Sequence, residues 1–155
     1  MRLHLIAVGT RMPAWVIAGY NEYQKRLSHC PLNLIAIEAS KRSKNSVTLQ
    51  CIAEEEKKLL AAVPKHSRLI ALDETGELWT TQQLAQYWHQ WQTVGQAVSF
   101  MIGGADGLSE HCLKKAECIW SLSRLTLPHA LVRILVAEQL YRASSLTKNH
   151  PYHRG

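Results

Sequence analysis

Two hydrophobic rhythms alternate along this chain. Short, largely apolar runs recur at Leu3 to Val8, Leu34 to Glu38, Arg68 to Leu72, Ala97 to Ile102 and Ile119 to Leu122. Apolar runs of this length, without strict alternation, predict strands covered on both faces. Between them the spacing becomes helical. Val16, Tyr20, Tyr23 and Leu27 predict a helix over 13–27, and Leu49, Ile52, Leu59 and Leu60 predict one over 47–62. The second helix takes Glu54-Glu55-Glu56-Lys57-Lys58 as its wet face, and nothing functional is read into that charge run. Thr80-Thr81-Gln82-Gln83 has the form of a capping box, opening a helix that carries Leu84, Tyr87, Trp88 and Trp91. Asp73-Glu74-Thr75-Gly76 reads as a turn closing the third strand, and Ser109 as the cap of a helix reaching about Glu117. Residues 130–146 form the last predicted helix.

Strands alternating with helices, the strands apolar throughout, predict an α/β fold with a mainly parallel sheet and helices on both faces. No repeat, linker or low-complexity stretch divides the chain, so residues 1–155 are expected to form a single domain. No apolar run approaches the ~20 residues a bilayer needs, and the first residues lack a signal-peptide pattern. A soluble, cytoplasmic protein with no membrane partner is expected. Cys30, Cys51, Cys112 and Cys118 show neither C-x-x-C pairing nor zinc-ligand spacing, so they are expected to be reduced and mostly buried, with no metal. The formal charge of +6, with eight histidines besides, favours a polyanionic partner, and nucleic acid is the default reading.

In a parallel sheet, ligands bind beyond the carboxyl ends of the strands. Three ends stand out: after Leu72, at Gly103-Gly104-Ala105-Asp106-Gly107, and over Leu122-Ser123-Arg124-Leu125-Thr126-Leu127-Pro128. The glycine segment has neither G-x-G-x-x-G nor P-loop spacing. It marks either a tight strand–helix turn or a close backbone approach. The leucine-rich loop is too apolar to be solvated and carries backbone groups that need partners, which suits a flat heteroaromatic ring held between leucines. The last helix is apolar on nearly every side, with Glu138 and Arg142 spaced to pair along one face. Such a charged pair either faces a ligand pocket or is an ordinary intrahelical pair. After it come His150-Pro151-Tyr152-His153-Arg154, side chains that move protons, stack and grip phosphate.

These segments together resemble one family. Ala7-Val8-Gly9, Ile102-Gly103-Gly104-Ala105-Asp106-Gly107-Leu108, Ser121 to His129, Leu131-Val132-Arg133, Glu138-Gln139-Leu140-Tyr141-Arg142-Ala143 and His150-Pro151-Tyr152-His153-Arg154 are similar to the small SPOUT-class methyltransferases that modify pseudouridine in large-subunit ribosomal RNA, the RlmH family. The resemblance spans essentially the whole chain. It implies a SPOUT-type α/β fold with a deep C-terminal trefoil knot. It implies S-adenosylmethionine as cofactor, held by Leu72, Gly103, Leu122, Ser123, Arg124, Leu125, Thr126 and Leu127. It further implies a homodimer in which one subunit's tail completes the other's site, and methylation of N3 of a pseudouridine in 23S rRNA of the assembled ribosome. The N3 imide proton must leave for nitrogen to attack the methyl, so a base or a stabilising cation is required. His153 or Tyr152 is the expected proton handler, with His129 a second candidate, and Arg142 and Arg154 are expected to stabilise the anion or hold phosphate. His150 and His153 alternatively only touch phosphate. Lys41, Arg42 and Lys44 are candidate ribosome contacts or simply a solvated loop. Trp79, Trp88 and Trp91 could form a stacking platform, though Trp88 and Trp91 are expected in the core. A non-catalytic, basic ribosome-binding factor is the alternative reading, and it would not bind the cofactor.

Overall fold

The computed structural model describes residues 1–154. Five strands and five helices alternate: β1 Leu3–Val8, α1 Ala14–Gln24, β2 Leu32–Ile37, α2 Thr48–Ala62, β3 Arg68–Leu78, α3 Thr81–Val94, β4 Val98–Ile102, α4 Glu110–Lys115, β5 Cys118–Ser121 and α5 His129–Thr147. A 3-10 turn, Pro151–Arg154, follows. All strand pairs are parallel, in the order β2-β1-β4-β3-β5. Every carboxyl strand end therefore opens on one edge of the sheet.

The apolar runs explain the two layers. Alternate residues of a strand face opposite sides. Leu3, Leu5 and Ala7 of β1, with Val98, Phe100 and Ile102 of β4, meet α1, α3 and α5 through Tyr20, Leu84, Trp88, Trp91, Val136, Ala137 and Leu140. Ile6, Val8 and Met101 point the other way, toward Leu59 of α2 and Cys112 of α4. Trp88 and Trp91 are buried, as their spacing implies, while Trp79 is only partly buried and stacks on Trp120 with centroids 5.0 Å apart. The four cysteines are free thiols, three buried and Cys118 partly so, its thiol pushed up to about 11 by burial. No helix among the described residues is long and apolar enough to cross a membrane.

The capping box is formed: Thr80 Oγ1 accepts from the Gln83 amide at 3.1 Å, and Gln83 Oε1 accepts from the Thr80 amide at 2.8 Å. Ser109 caps α4, accepting from the Cys112 amide at 3.0 Å, but the helix ends at Lys115. Elsewhere the boundaries move for local reasons. Pro13 stands just outside α1, and the helix closes at Gln24, short of Leu27. The second strand begins two residues earlier than predicted, at buried Leu32. The turn expected to end the third strand does not end it. Residues 73–76 leave the ladder and return, so that Leu72 and Glu77 both register against Trp120 and β3 runs on to Leu78. Gly76 permits the return: a Cβ there would lie 2.6 Å from the Ile119 carbonyl.

Two helix faces differ from their patterns. Leu49 of α2 is 76% exposed, whereas Glu55, from the supposed wet face, is buried at 2%. In α5 the buried stripe includes Arg133, Val136, Ala137, Leu140 and Ala143. The remainder of its apolar surface is half-buried.

Candidate functional site

A cleft of about 680 Å³ opens at the carboxyl edge of the sheet, over β3, β4 and β5. That is within the range of small-molecule sites. Its walls are the three segments singled out from the pattern: Leu72 with Asp73 and Glu74, which lie in the β3 excursion and not at a strand end, residues 102–108, and most of residues 120–129.

The middle wall owes its shape to glycine. Gly107 has φ +79° and its amide donates to the Gly104 carbonyl at 3.1 Å, folding the segment back on itself. A Cβ on Gly103 would meet the Gly107 carbonyl carbon at 2.5 Å and the Leu108 nitrogen at 2.8 Å. Backbone therefore passes over backbone here, and the close-approach reading of the glycines is the observed one. Across the cleft, Thr126 donates to Glu74 Oε2 at 3.1 Å, joining the β3 excursion to the leucine-rich loop. Asp73 accepts from the Thr75 amide and hydroxyl, holding the excursion in its turn. Leu125 remains 74% exposed.

The polar lining has one sign. Asp73, Glu74 and Asp106 line the cleft, and among the described residues no lysine or arginine does. In a chain of net charge +6 this is a local inversion. Two ring nitrogens in the lining, Trp120 Nε1 and His129 Nδ1, are buried with no hydrogen-bond partner. Such orphaned groups cost free energy unless something else satisfies them. Burial, then the neighbouring Arg133 guanidinium, hold the His129 pKa below the ordinary histidine value. Arg133 itself is buried, and its Nη2 donates to the carbonyls of Val8 at 2.9 Å and Gly9 at 2.7 Å. It thereby caps the end of β1 against α5. Burial lowers its pKa.

Of the cofactor residues expected from the sequence, Leu72, Gly103, Leu122, Ser123, Leu125, Thr126 and Leu127 line the cleft. Arg124 does not: its side chain is exposed and turned out of the lining. Of the five candidate catalytic residues (His129, Tyr152 and His153 for the proton, Arg142 and Arg154 for the anion or phosphate) only His129 is in the cleft. The other four lie elsewhere on the same chain. Tyr152 Oη donates to Glu138 Oε1 at 3.2 Å, and Arg142 Nη2 donates to that same oxygen at 2.6 Å. The Arg142 guanidinium sits 4.9 Å from the Tyr152 ring centroid, and Arg26 lies over the same ring at 5.7 Å. Burial, then hydrogen bonding to Tyr23, push the Tyr152 pKa up. Glu138 is nine residues beyond His129 on α5, about 13 Å along the axis at ~1.5 Å per residue. The Glu138–Arg142 pair thus serves as a dock for the chain's own tail and does not line the cleft. His153 and Arg154 are carried in the docked 3-10 turn.

Sequence reasoning missed Glu55. Its two oxygens accept from Arg42 Nη1 and Nη2 at 3.0 Å each, and Arg42 Nε donates to Asp106 in the glycine segment at 2.7 Å. The Ser40 amide also donates to Glu55, at 3.0 Å. Arg42 is therefore committed to two carboxylates, not held out to solvent. One signal was available: a single buried acid can hide in a charge run where the helical spacing turns it inward. His/Cys/Asp/Glu groupings suited to a metal ion are absent among the described residues.

Comparison with known proteins agrees with this layout. The family model described as "Predicted SPOUT methyltransferase" matches residues 1–153. A probable methylase family protein from Haemophilus influenzae superposes with a TM-score of 0.61 at 17% identity, over 97% of this chain and 69% of its own. TrmJ from Z. mobilis superposes at 0.56 and 19% identity, over 92% of this chain and 70% of its own. A "putative methyltransferase" from Legionella pneumophila, solved in complex with the bound cofactor SAM, superposes at 0.50 and 12% identity, over 92% and 66%. At these identities the structures share the fold.

Proposed function

This chain belongs to the SPOUT methyltransferase family, and from that premise we propose that it methylates N3 of a pseudouridine in 23S rRNA of the assembled ribosome, as the RlmH-type enzymes it resembles do. Its cofactor is S-adenosylmethionine. The observation that carries the assignment is the acidic, leucine-walled cleft in an otherwise basic chain. A polyphosphate cofactor would meet Asp73 and Glu74 with no lysine or arginine in the lining, Arg42 being already committed to Glu55 and Asp106. A sulfonium bearing an ammonium is the charge this lining favours. Leu72, Leu122, Leu125 and Leu127 suit the adenine, and the unpartnered Trp120 and His129 nitrogens suit polar groups of a ligand.

Bound there, the cofactor supplies an electrophilic methyl. The chain's own contribution is orientation and proton handling. The glycine segment and the leucine-rich loop fix the direction of approach, which sets the rate of an in-line displacement. His129 is kept neutral at pH 7 by burial and Arg133, so it can accept a proton where the cleft opens. The raised Tyr152 pKa argues against that ring as the base while it is docked. In the proposed homodimer His153 and Arg154 act across the interface, the arginine stabilising the developing imide anion. Glu138, where the tail docks, stands six residues, ~9 Å of helix rise, beyond Val132, the last α5 residue of the cleft lining, and that separation supports action on a neighbouring subunit's cleft. So do Trp15 and Ile17 of α1, 59% and 51% exposed on the helix that packs beside α5. A trefoil knot is part of the same proposal: β5 lies at the sheet edge beside β3, yet the chain returns to place α5 against α1 and α3.

The test is methyl transfer from labelled cofactor to intact ribosomes and to separated subunits, followed by mapping of the modified base. Transfer to one pseudouridine of 23S rRNA in intact ribosomes is expected. Calorimetric binding of the cofactor without any transfer to ribosomes would refute the substrate, and no binding of the cofactor would point to the non-catalytic alternative.

A further inference from the structure

The sheet edge that carries the cleft also carries four cations without an ion-pair partner among the described residues. Because all strands are parallel, the segments after β1, β2 and β5 emerge on that edge with the cleft. They carry Arg11, Lys41 and Lys44, and Arg124, all exposed. No carboxylate pairs with any of these four among the described residues. The acids of the edge are disposed differently. Asp73, Glu74 and Asp106 line the cleft, and each has a polar partner. Only Glu38 is exposed without one. Charge on this edge is thus sorted by place, with acids in the cleft lining and unpaired cations on the neighbouring segments.

Lys41 and Lys44 flank Arg42, which behaves oppositely. Arg42 reaches inward to the buried Glu55 and to Asp106 of the glycine segment, and its Nη1 also donates to the Ser40 carbonyl at 3.1 Å. The loop is closed on itself by Ser46 Oγ, which accepts from the Ser43 amide at 2.7 Å. A solvated basic loop would need no such root. This one is bolted beside the cleft with its two lysines outward.

We propose that residues 39–47 form a phosphate-docking arm for RNA, with Lys41 and Lys44 as contacts, Arg11 and Arg124 continuing the rim, and Arg42 as the anchor that presents them. The partner's identity as RNA rests on the ribosomal reading above; the placement of the contacts does not. Arg42 is a positioning residue here, since its donors are already taken by protein.

The test measures binding of a 20-nucleotide oligouridylate by fluorescence anisotropy between 50 and 200 mM salt, with cofactor calorimetry alongside. Each lost phosphate contact lowers the salt slope by ~0.7 for single strands. K41A/K44A should therefore lower the slope by about 1.4, shrinking the affinity lost over that fourfold salt range by about sevenfold. Cofactor affinity should not change. R42A should weaken RNA binding as well, although Arg42 itself touches no phosphate, and should also weaken cofactor binding through Asp106. K114A/K115A removes the same charge from the far end of α4, away from this edge, and should bind RNA as the parent does. Equal losses in K41A/K44A and K114A/K115A would reduce the effect to net charge and overturn the proposal. So would an unchanged slope in K41A/K44A, or preferential binding to phosphatidylserine vesicles that the lysine substitutions abolish while RNA binding stays intact. Failure of the methyltransferase reading shows separately, as no methyl transfer by a protein whose arm still binds RNA.

Discussion

Adding one methyl group to Gly103 should cost more than adding one to either neighbouring loop glycine, because of what it would strike. The new Cβ would stand 2.5 Å from the Gly107 carbonyl carbon, 2.6 Å from its oxygen and 2.8 Å from the Leu108 nitrogen. All three are backbone atoms, so no side chain can swing aside. Contact at about 3.5 Å requires the crossing strands of the loop to part by about 1 Å. Forced expansion of a packed site costs ~1–3 kcal/mol, which at this chain length lowers Tm by roughly 2–4 °C per kcal/mol. The functional loss should be larger than the thermal one. A displacement of ~1 Å at a reacting geometry can cost ~100-fold in turnover.

Two adjacent glycines provide the controls. At Gly104 the nearest neighbours are side-chain atoms, Val8 Cγ1 at 3.0 Å and Glu55 Oε1 at 3.2 Å, so Gly104→Ala should be milder. At Gly107 there is open space, and only its φ of +79° resists a side chain, at ~1–2 kcal/mol. Thermal unfolding, cofactor calorimetry and single-turnover methylation of the three variants give the comparison. The expected order of lost cofactor affinity puts Gly103→Ala first. If that variant binds the cofactor as tightly as the parent, the loop does not form the site's wall in the way described.

The remaining predictions concern the groups around the cleft and the tail. Arg133→Ala leaves the Val8 and Gly9 carbonyls without their donor. Charge-assisted bonds are worth ~1.5–3 kcal/mol each, offset in part by relief of a buried charge, so a net loss of ~2–4 kcal/mol is expected in urea denaturation. An unchanged midpoint would contradict the capping role. His129 has a folded pKa below its unfolded value, so its contribution to stability is complete above pH ~6.5 and fades as pH falls through the folded value. His129→Gln should therefore flatten the acid side of both the stability curve and the methylation rate profile, and a parent-like acid limb in that variant would remove His129 from proton handling. Tyr152→Phe removes the hydroxyl that donates to Glu138. It should slow single-turnover methylation about tenfold, the equivalent of ~1.4 kcal/mol, while cofactor affinity stays at the parent value. A parent-like rate would show that the dock does not serve the reaction.

How far the chain can be read without coordinates depends on whether a property is local. Strand and helix positions came through because buried strands and amphipathic helices write their periods into a few consecutive residues, and the Thr80–Gln83 capping box is legible for the same reason. Two of the cleft's three walls followed from the rule about carboxyl strand ends; the third, at Leu72 to Glu74, was located by it although it is an excursion within β3. What stayed hidden was long-range. Residues 73–76 look like the end of a strand, and only the pairing of both Leu72 and Glu77 with Trp120 shows the strand resuming. Glu55 sits inside Glu54-Glu55-Glu56-Lys57-Lys58, a textureless run whose inward member is selected by an arginine 13 positions earlier. Arg42 in turn is held by Asp106, 64 positions later. No window along the sequence contains that triad.

The same distinction bears on the tail. His150-Pro151-Tyr152-His153-Arg154 is conspicuous in sequence because its side chains are reactive, and proximity in sequence to α5 suggests proximity to the cleft that α5 leaves. Geometry separates them. Beyond Val132, the last α5 residue in the lining, the helix carries the chain ~9 Å further by Glu138, and there Tyr152 is taken up by Glu138, Arg142 and Arg26. A tail that only needed to be ordered could dock on any surface. This one docks on a half-buried carboxylate, Glu138, and on the guanidiniums of Arg142 and Arg26. The dock therefore fixes the tail's direction within the chain, as the proposed action of His153 and Arg154 on a partner's cleft requires. Substituting the dock should then lower the rate of transfer without lowering the affinity of the cleft for cofactor, a separation that a purely structural tail would not produce.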